Sequence, residues 1–296
     1  MKILFWAVGI MILSSLGSAE ASKLPFEKRF IGVSKFNALK QEAYRKNWAE
    51  LPIGERTAAV GKALVGIPYE NFTLEIDNEI EAPSVNFKGM DCWTFFEIAL
   101  AFARMLNEPE AKHTPDRLLH FIELDRYRGG HCNGNYLSRL HYLEDWAFDN
   151  DKRGLVKDLS LKLGGVRARI RAREMTILWK SYRYLKHNPS LVPKMKVHED
   201  RIEKTPTYYI PRSKVKSIEE KLKNGDIIGI YSKAPNNSVA TSHVGLALRD
   251  SKGVLRFMHA TTQKDLGRHV AIDSRLSTYL YRFSKHRGIM VARPLR

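Results

Sequence analysis

The apolar residues of this chain change their spacing along the sequence, and this change limits the folds that are available. In the first part they recur at helical intervals, which predicts helices over residues 34–51, 55–66 and 92–106. From about residue 225, short apolar runs alternate with turn residues instead, as in GDIIGIYS, SHVGLALRD, VLRFMHAT and RGIMVARP. The sequence DSKG joins the second and third runs and predicts a hairpin. Helices followed by an antiparallel sheet predict an α+β fold.

Residues 108–215 lie between these two parts and show no clear period. We expect loops over residues 108–160, which are dense in aromatic, glycine and polar side chains, followed by the basic stretch RARIRARE. The composition, with 44% apolar and 27% charged residues, is ordinary for a chain that buries a core. The sequence therefore predicts one domain over residues 22–296 with insertions at about residues 108–215.

The first 21 residues have the pattern of a secretory signal peptide. Lys2 precedes an apolar run over residues 3–17, and the pattern AEA at residues 19–21 predicts cleavage before Ser22. The run is shorter than the ~20 residues that a membrane-spanning helix needs, although a retained membrane anchor is the alternative. Neither cysteine lies near the predicted cleavage site, so a lipoprotein anchor is not expected. The mature chain is expected to be periplasmic or secreted.

The formal net charge of +17 favours anionic partners. For an exported chain, anionic cell-wall polymers, lipid head groups and carboxylate-bearing wall peptides are better candidates than nucleic acid. The stretch RARIRARE has no interleaved aromatic residues and no nucleic-acid-binding motif. We therefore expect electrostatic association with the envelope and no nucleic-acid partner. The sequence predicts no oligomeric state.

The stretch GMDCWTFFEIALAFARML places Cys92 at the predicted start of a buried helix. The unpaired N–H groups and the helix dipole at this end favour a thiolate over a thiol, and the same N–H groups can hold an oxyanion. Cys92 is thus a candidate nucleophile with a lowered pKa. Asp91, one residue earlier, is predicted to cap the helix rather than to act as a catalytic acid.

A nucleophilic cysteine also needs an imidazole within reach and a group that orients this imidazole. His243 lies at the predicted start of one strand, and His259 lies near the end of the next. An antiparallel hairpin brings these two ends together, so the two rings can face one another. His243 could then take the thiol proton while His259 fixes its tautomer, with Ser242 flanking His243 on the solvent side.

Cys92 and the two histidines could equally have structural roles. Cys92 could be a small buried apolar residue, or it could form a disulfide with Cys132 in an exported protein. Each histidine could simply be a buried side chain with its hydrogen bonds satisfied. A zinc site is disfavoured because no HExxH or CxxC spacing is present. We predict neither a metal nor a cofactor.

Five segments in a fixed order, LVGIPYE, MDCWTFFE, NGDIIGIYS, SHVGLAL and FMHAT, resemble the NlpC-type cell-wall cysteine peptidases of the papain-like clan. The likeness is to the amidase-like branch in particular, because RYRGG and YLSRLHYLEDW resemble a segment of that branch. It extends from about residue 35 to the end of the chain. One departure is that Trp93 and Thr94 replace the Ser-Gly pair common after the nucleophile in the core peptidases.

The resemblance implies a papain-like fold and hydrolysis of an amide in peptidoglycan or muropeptides. In this branch the implied bond joins the lactyl group of muramic acid to L-alanine. Cys92 would be the nucleophile, His243 the base and His259 the third member of the catalytic set. Tyr69 matches a tyrosine that borders the nucleophile and could bond near the oxyanion, although a packed structural tyrosine is the alternative.

Substrate recognition is expected in the insertion, at YLSRLHYLEDW. Arg139 could hold a peptide carboxylate through two hydrogen bonds, Trp146 could stack on a sugar, and Tyr136 could belong to the same wall. The alternative is an amphipathic helix that packs its apolar residues inward, namely Leu137, Leu140, Leu143 and Trp146.

The sequence thus predicts an exported cysteine amidase that acts on peptidoglycan or muropeptides. One alternative keeps the chemistry but cuts within the stem peptide, for example between D-glutamate and diaminopimelate. Another is a non-enzymatic basic protein that binds the envelope.

Overall fold

The computed structural model describes residues 24–295, so the predicted signal peptide and its cleavage site lie outside the described residues. The helices are α1 Phe26–Arg29, α2 Val33–Arg45, α3 Ile53–Ala63, α4 Cys92–Met105, α5 Pro115–Arg126, α6 Leu143–Lys152, α7 Glu174–Ile177, α8 Arg183–His187, α9 Val192–Lys204, α10 Arg212–Ile218 and α11 Leu276–Arg282. The strands are β1 Phe30–Ile31, β2 Val85–Asn86, β3 Val156–Asp158, β4 Val166–Arg167, β5 Tyr208–Pro211, β6 Ile227–Ala234, β7 Ser238–Arg249, β8 Leu255–Ala260, β9 Val270–Arg275 and β10 His286–Pro294. Within residues 24–295 no helix combines the length and the apolar character that crossing a bilayer requires.

An eight-stranded sheet organises the fold. Its strands follow the order β4-β5-β10-β6-β7-β8-β9, and β3 also pairs with β10. Every pairing in this sheet is antiparallel. The predicted hairpin is β7–β8, in which Leu246 lies opposite Met258 and Arg249 opposite Leu255. Helices combined with an antiparallel sheet confirm the predicted α+β class.

Both faces of the sheet are covered by helices. On β10, Met290 and Ala292 pack into the main core with α2 to α6, whereas Ile289 and Val291 pack into a second core with α10 and α11. A strand covered on both faces carries apolar side chains in both directions. This explains why the strands of the C-terminal third are continuous apolar runs.

Helix α4 lies in the main core, and its residues from Thr94 to Met105 are all buried. Asp91 begins the helix through a capping box. Its carboxylate accepts the Thr94 backbone N–H at 2.8 Å, and the Thr94 hydroxyl oxygen accepts the Asp91 backbone N–H at 3.1 Å. The predicted cap is confirmed, and it holds Cys92 as the first residue of the helix.

The expectation of loops over residues 108–160 is wrong, because α5, α6 and β3 form there. These elements were not predicted because several of their charged side chains are buried in ion pairs, whereas a sequence pattern assigns charged side chains to the surface. Arg126 of α5 pairs with Glu97 of α4 at 2.8 Å, and Asp125 pairs with Arg104. Strand β9 and helix α11 were also not predicted.

Candidate active site

A cavity of about 560 Å³ lies at the N-terminal end of α4, beside β7. Cys92 and His243 both line it. Its walls come from three other parts of the chain, which are residues 69–75, 136–144 and 171–182. We call this cavity the cleft.

Cys92 is partly buried at the floor of the cleft. Three backbone N–H groups are directed at its sulfur, those of Val244, Cys92 and Trp93. The bond from Val244 brings α4 and β7 together at this point. Because Val244 follows His243 directly, the thiol lies beside the strand position that carries the predicted base.

The predicted lowering of the Cys92 pKa is wrong. Burial and the neighbouring Asp91 carboxylate raise the pKa of the thiol to about 12, although the three N–H groups act in the opposite direction. A thiolate here would lose its hydration and face a second negative charge. Cys92 is therefore a neutral thiol at pH 7.

His243 and His259 are in direct contact, as the hairpin predicted. His243 Nε2 lies 2.6 Å from His259 Nδ1, and the two rings are nearly perpendicular, at 84°. Gly245 makes room for this pair, because a Cβ at that position would lie 2.9 Å from the Cβ of His259. His243 does not begin its strand, however. Strand β7 starts at Ser238, so the base lies mid-strand.

Asp273 of β9 is a fourth member of this arrangement that the sequence analysis missed. Its Oδ2 lies 3.3 Å from His259 Nε2, and Arg282 of α11 donates to both carboxylate oxygens at 3.1 Å. Burial alone would raise the pKa of Asp273, but the hydrogen bonds from His259 and the Ser274 N–H, together with the charge of Arg282, lower it to about 2. Asp273 is therefore ionised. The only sequence signal was an acid inside the apolar run VAIDSR.

The ionised Asp273 determines the tautomer of both histidines. Burial lowers the pKa of His259, and it lowers the pKa of His243 well below 6.5, so both rings are neutral at pH 7. Asp273 can only accept, so His259 Nε2 carries the proton and His259 Nδ1 accepts from His243 Nε2–H. We assign the remaining lone pair of His243 to Nδ1. That nitrogen is the one that His243 has free to accept a proton, and His243 lines the same cleft as Cys92.

A family model described as AmiA-like, N-acetylmuramoyl-L-alanine amidase-like, matches residues 59–289. This range is more than three quarters of the chain and contains Cys92, His243, His259 and Asp273. The chain belongs to the AmiA-like family. No curated protein sequence matches it.

Solved structures also resemble this AmiA-like chain. An N-acetylmuramoyl-L-alanine amidase from Bacteroides uniformis ATCC 8492 has a TM-score of 0.70 and 27% identity, with 82% of this chain and 99% of that chain covered. A putative xylanase from Bacteroides fragilis has a TM-score of 0.67 and 30% identity, covering 79% of this chain and 98% of that chain. A Legionella pneumophila protein with 18% identity and a TM-score of 0.67 shares the fold, with 89% and 95% of the two chains covered.

Four of the predicted substrate-binding residues line the cleft of this AmiA-like chain, namely Tyr69, Tyr136, Arg139 and Ser242. Tyr69 lines it, and burial together with the nearby Cys92 and Asp91 raises the pKa of its hydroxyl. Ser242 is the extra residue of a bulge in β7, and its hydroxyl oxygen lies 2.7 Å from that of Ser232. The contacts of Tyr69 and Ser242 with substrate stay predictions.

Arg139 and Tyr136 line the cleft but are already engaged. Arg139 is 3% exposed and ion-paired with Glu75 at 3.7 Å and Glu81 at 3.5 Å, and its guanidinium lies 4.8 Å from the centre of the Tyr136 ring. The Tyr136 hydroxyl donates to Glu75. The expectation that Arg139 holds a peptide carboxylate is wrong, because two protein carboxylates neutralise it.

The expectation that Trp146 stacks on a sugar is also wrong. Its side chain is completely buried and packs edge-on against Phe96, with ring centres 5.2 Å apart. It lies on the core face of α6, together with Leu143. The alternative of inward-packed apolar residues is confirmed for Leu140, Leu143 and Trp146, although Leu140 precedes the helix, which begins only at Leu143.

The two cysteines do not form the disulfide that was considered. Both are free, and the Cys132 thiol donates to the backbone carbonyl of Glu81 at 3.4 Å. Across residues 24–295 there is also no group of three or more histidine, cysteine or acidic side chains arranged to hold a metal ion.

Glu144 is a further cleft residue that the sequence analysis missed. It is buried in the first turn of α6, and its Oε1 accepts the Thr241 hydroxyl at 2.7 Å. Thr241 lies two residues before His243 in β7. Its hydrogen bond to Glu144 therefore connects this part of β7 to α6. Burial raises the pKa of Glu144.

Proposed function

We propose that this protein is a cysteine amidase that hydrolyses an amide bond in peptidoglycan or muropeptides. The bond that we propose joins the lactyl group of muramic acid to L-alanine. The observation that carries this proposal is the chain of contacts from Asp273 through His259 to His243, together with the position of His243 and Cys92 in the lining of one cleft. Membership of an amidase-like family supports the same chemistry.

The first step is attack by Cys92 on the amide carbonyl. Because the thiol and the imidazole are both neutral, the proton moves from sulfur to His243 Nδ1 as the C–S bond forms. The carbonyl oxygen gains negative charge. The N–H groups at the start of α4 and the Tyr69 hydroxyl are the donors that we assign to it.

The second step releases the peptide. The His243 imidazolium gives its proton to the amide nitrogen, the C–N bond breaks, and the lactyl group remains on Cys92 as a thioester. His259 and the ionised Asp273 stabilise the positive charge on His243 while it lasts. Water then loses a proton to His243 and attacks the thioester, which frees the lactyl carboxylate and restores the thiol.

We also propose that the fold is of the papain-like, NlpC type. A nucleophile at a helix N-terminus and two histidines on an antiparallel sheet support this classification, together with the sequence resemblance. The proposed cellular location is outside the cytoplasm, on the evidence of the first 21 residues. Recovery of the protein in the cytoplasmic fraction alone, with residues 1–21 still attached by intact mass, would contradict this location.

The test is digestion of a defined disaccharide–peptide by the purified protein, with products weighed by mass spectrometry. We expect a free disaccharide and a free peptide that begins with L-alanine. Cys92→Ala should abolish both products, and Cys132→Ala, the matched control, should retain them.

The other outcomes decide between the alternatives. A disaccharide that keeps L-alanine and D-glutamate would show the endopeptidase instead. Unchanged peptide release by Cys92→Ala would refute cysteine catalysis. The absence of any product, together with salt-sensitive binding to cell walls, would favour the non-enzymatic envelope protein.

A further inference from the structure

The basic segment at residues 167–173 runs in an extended conformation beside β7. The Val239 N–H donates to the Arg169 carbonyl at 2.9 Å, and the Arg171 N–H donates to the Val239 carbonyl at 2.8 Å. Ile170 and Ala172 are buried in the main core. Since side chains alternate along an extended chain, the arginines point away from that core.

The arginines of this segment have different surroundings. Arg167 and Arg169 are exposed and do not line the cleft. Arg173 lines the cleft but pairs with Asp200 at 2.6 Å and with Glu203 at 2.8 Å. Arg171 lines the cleft, is partly buried, and has no carboxylate within 4 Å among the described residues.

Arg171 is therefore the arginine of the cleft whose charge no described carboxylate neutralises. Among residues 24–295, three arginines and no lysine line the cleft. Arg139 and Arg173 are held by protein carboxylates, which leaves Arg171 as the one whose charge is available to a ligand. A partly buried guanidinium binds a carboxylate more strongly than an exposed one does, because less water screens the pair.

We propose that Arg171 binds a carboxylate of the stem peptide, on the side of the scissile amide that leaves as the amine. This inference rests on the proposed function. In the substrate the lactyl carboxyl is consumed in the amide and the sugars are neutral, so every carboxylate belongs to the peptide. The nearest one to the scissile bond is the α-carboxylate of the second residue, D-glutamate. The bond from the Arg171 N–H to the Val239 carbonyl, and that from the Val239 N–H to the Arg169 carbonyl, hold this part of the segment on β7, which reduces the entropy lost on binding.

The experiment measures binding to the full-length mature Cys92→Ala protein by calorimetry, with two peptides that differ in one group. The first is L-alanyl-D-glutamine, in which the side-chain carboxyl is an amide and only the α-carboxylate is free, and the second is its α-amide. We expect the first to bind more tightly. Arg171→Gln should weaken its binding by about 10- to 100-fold and leave the amide unchanged.

Two further variants sharpen this experiment. Arg171→Lys should restore part of the difference, since it keeps the charge but not the planar pair of donors. Arg169→Gln, the matched control on the exposed side of the same segment, should bind both peptides as before.

The outcomes separate the inference from the proposed function. Equal binding of both peptides, or no effect of Arg171→Gln, would overturn the assignment of Arg171 and leave the amidase proposal standing. If the active protein cleaves no muropeptide but Arg171-dependent discrimination persists, the amidase proposal fails while the carboxylate site stands.

Discussion

At the scale of single residues, the proposed chemistry depends on which ring nitrogens carry protons. Asp273 accepts from His259, His259 accepts from His243, and His243 keeps a lone pair for the thiol. This arrangement differs from a thiolate–imidazolium pair, because burial keeps both partners neutral. The base must therefore act during the attack and not before it.

Asp273→Asn should reverse this order of tautomers. An amide can donate to His259 Nε2, which would move the His259 proton to Nδ1 and make His243 Nε2 an acceptor. His243 Nδ1 would then be protonated and unable to take the thiol proton. We expect kcat to fall by about 10²- to 10⁴-fold with little change in KM.

The matched control is Asp265→Asn, an exposed acid in the segment before β9. Steady-state kinetics on one muropeptide compares the two variants, and thermal unfolding checks that both are folded. An Asp273→Asn protein with normal kcat would show that the relay does not operate.

The dependence of activity on pH follows from the same pKa directions. The pKa of His243 is well below 6.5, so the base stays neutral from about pH 6.5 upward and activity is lost only as pH falls through this depressed value. The pKa of Cys92 is about 12, so no thiol titration intervenes below pH 9. We expect kcat/KM to be flat between pH 7 and pH 9. A bell-shaped profile that declines by pH 9 would indicate a thiolate–imidazolium pair instead.

At the scale of elements, the sequence predicted the helices and strands that contain a long apolar run. Helix α4 and strands β6, β7, β8 and β10 are continuous apolar runs, and the contact between the histidines followed from one hairpin. Helix α5 and strand β9 were missed because buried ionic residues, such as Arg126 and Asp273, look like surface residues in a sequence. The ion pairs that satisfy them join segments far apart in the chain.

The Glu97–Arg126 pair is the clearest example of such a contact. It joins α4 to α5 inside the main core, and neither side chain has any exposed surface. Removing one partner leaves the other charge buried and unpaired, so we expect Arg126→Met to lower the free energy of unfolding by about 3–5 kcal/mol.

Urea denaturation would measure this loss. The double variant Glu97→Gln/Arg126→Met should recover much of it, because neither member of this pair is then left as an unpaired buried charge. Lys196→Ala is the control for an exposed pair, with Asp200 at 2.9 Å, and should change stability by less than about 1 kcal/mol. A single Arg126→Met change as small as that of the control would contradict this account.

At the scale of the whole molecule, the cleft is assembled from segments that lie far apart in the sequence. The proposed nucleophile comes from α4, the proposed base from β7, and the walls from residues 69–75, 136–144 and 171–182. The ligand-binding residues of the cleft walls could not be predicted from residue types alone. The sequence does not show which arginines pair with protein carboxylates and which stay available to a ligand. Arg139 is buried between two carboxylates, whereas Arg171 is partly buried and has no carboxylate within 4 Å among the described residues.

The net charge of +17 is also a property of the whole molecule. Within the cleft two of the three arginines are neutralised, so the excess charge does not concentrate there. We therefore expect the excess charge to act in association with anionic surfaces, whereas the specificity of the proposed cleavage would depend on the cleft.

The most direct test of the central claim is to trap the intermediate on Cys92. Full-length mature protein is mixed with a disaccharide–peptide, quenched in acid within milliseconds, and digested for mass spectrometry. We predict that the peptide containing Cys92 gains the mass of the disaccharide lactyl group as a thioester, and that Cys92→Ala shows no such adduct. Release of free peptide with no adduct on Cys92, at a rate that Cys92→Ala does not reduce, would contradict the account.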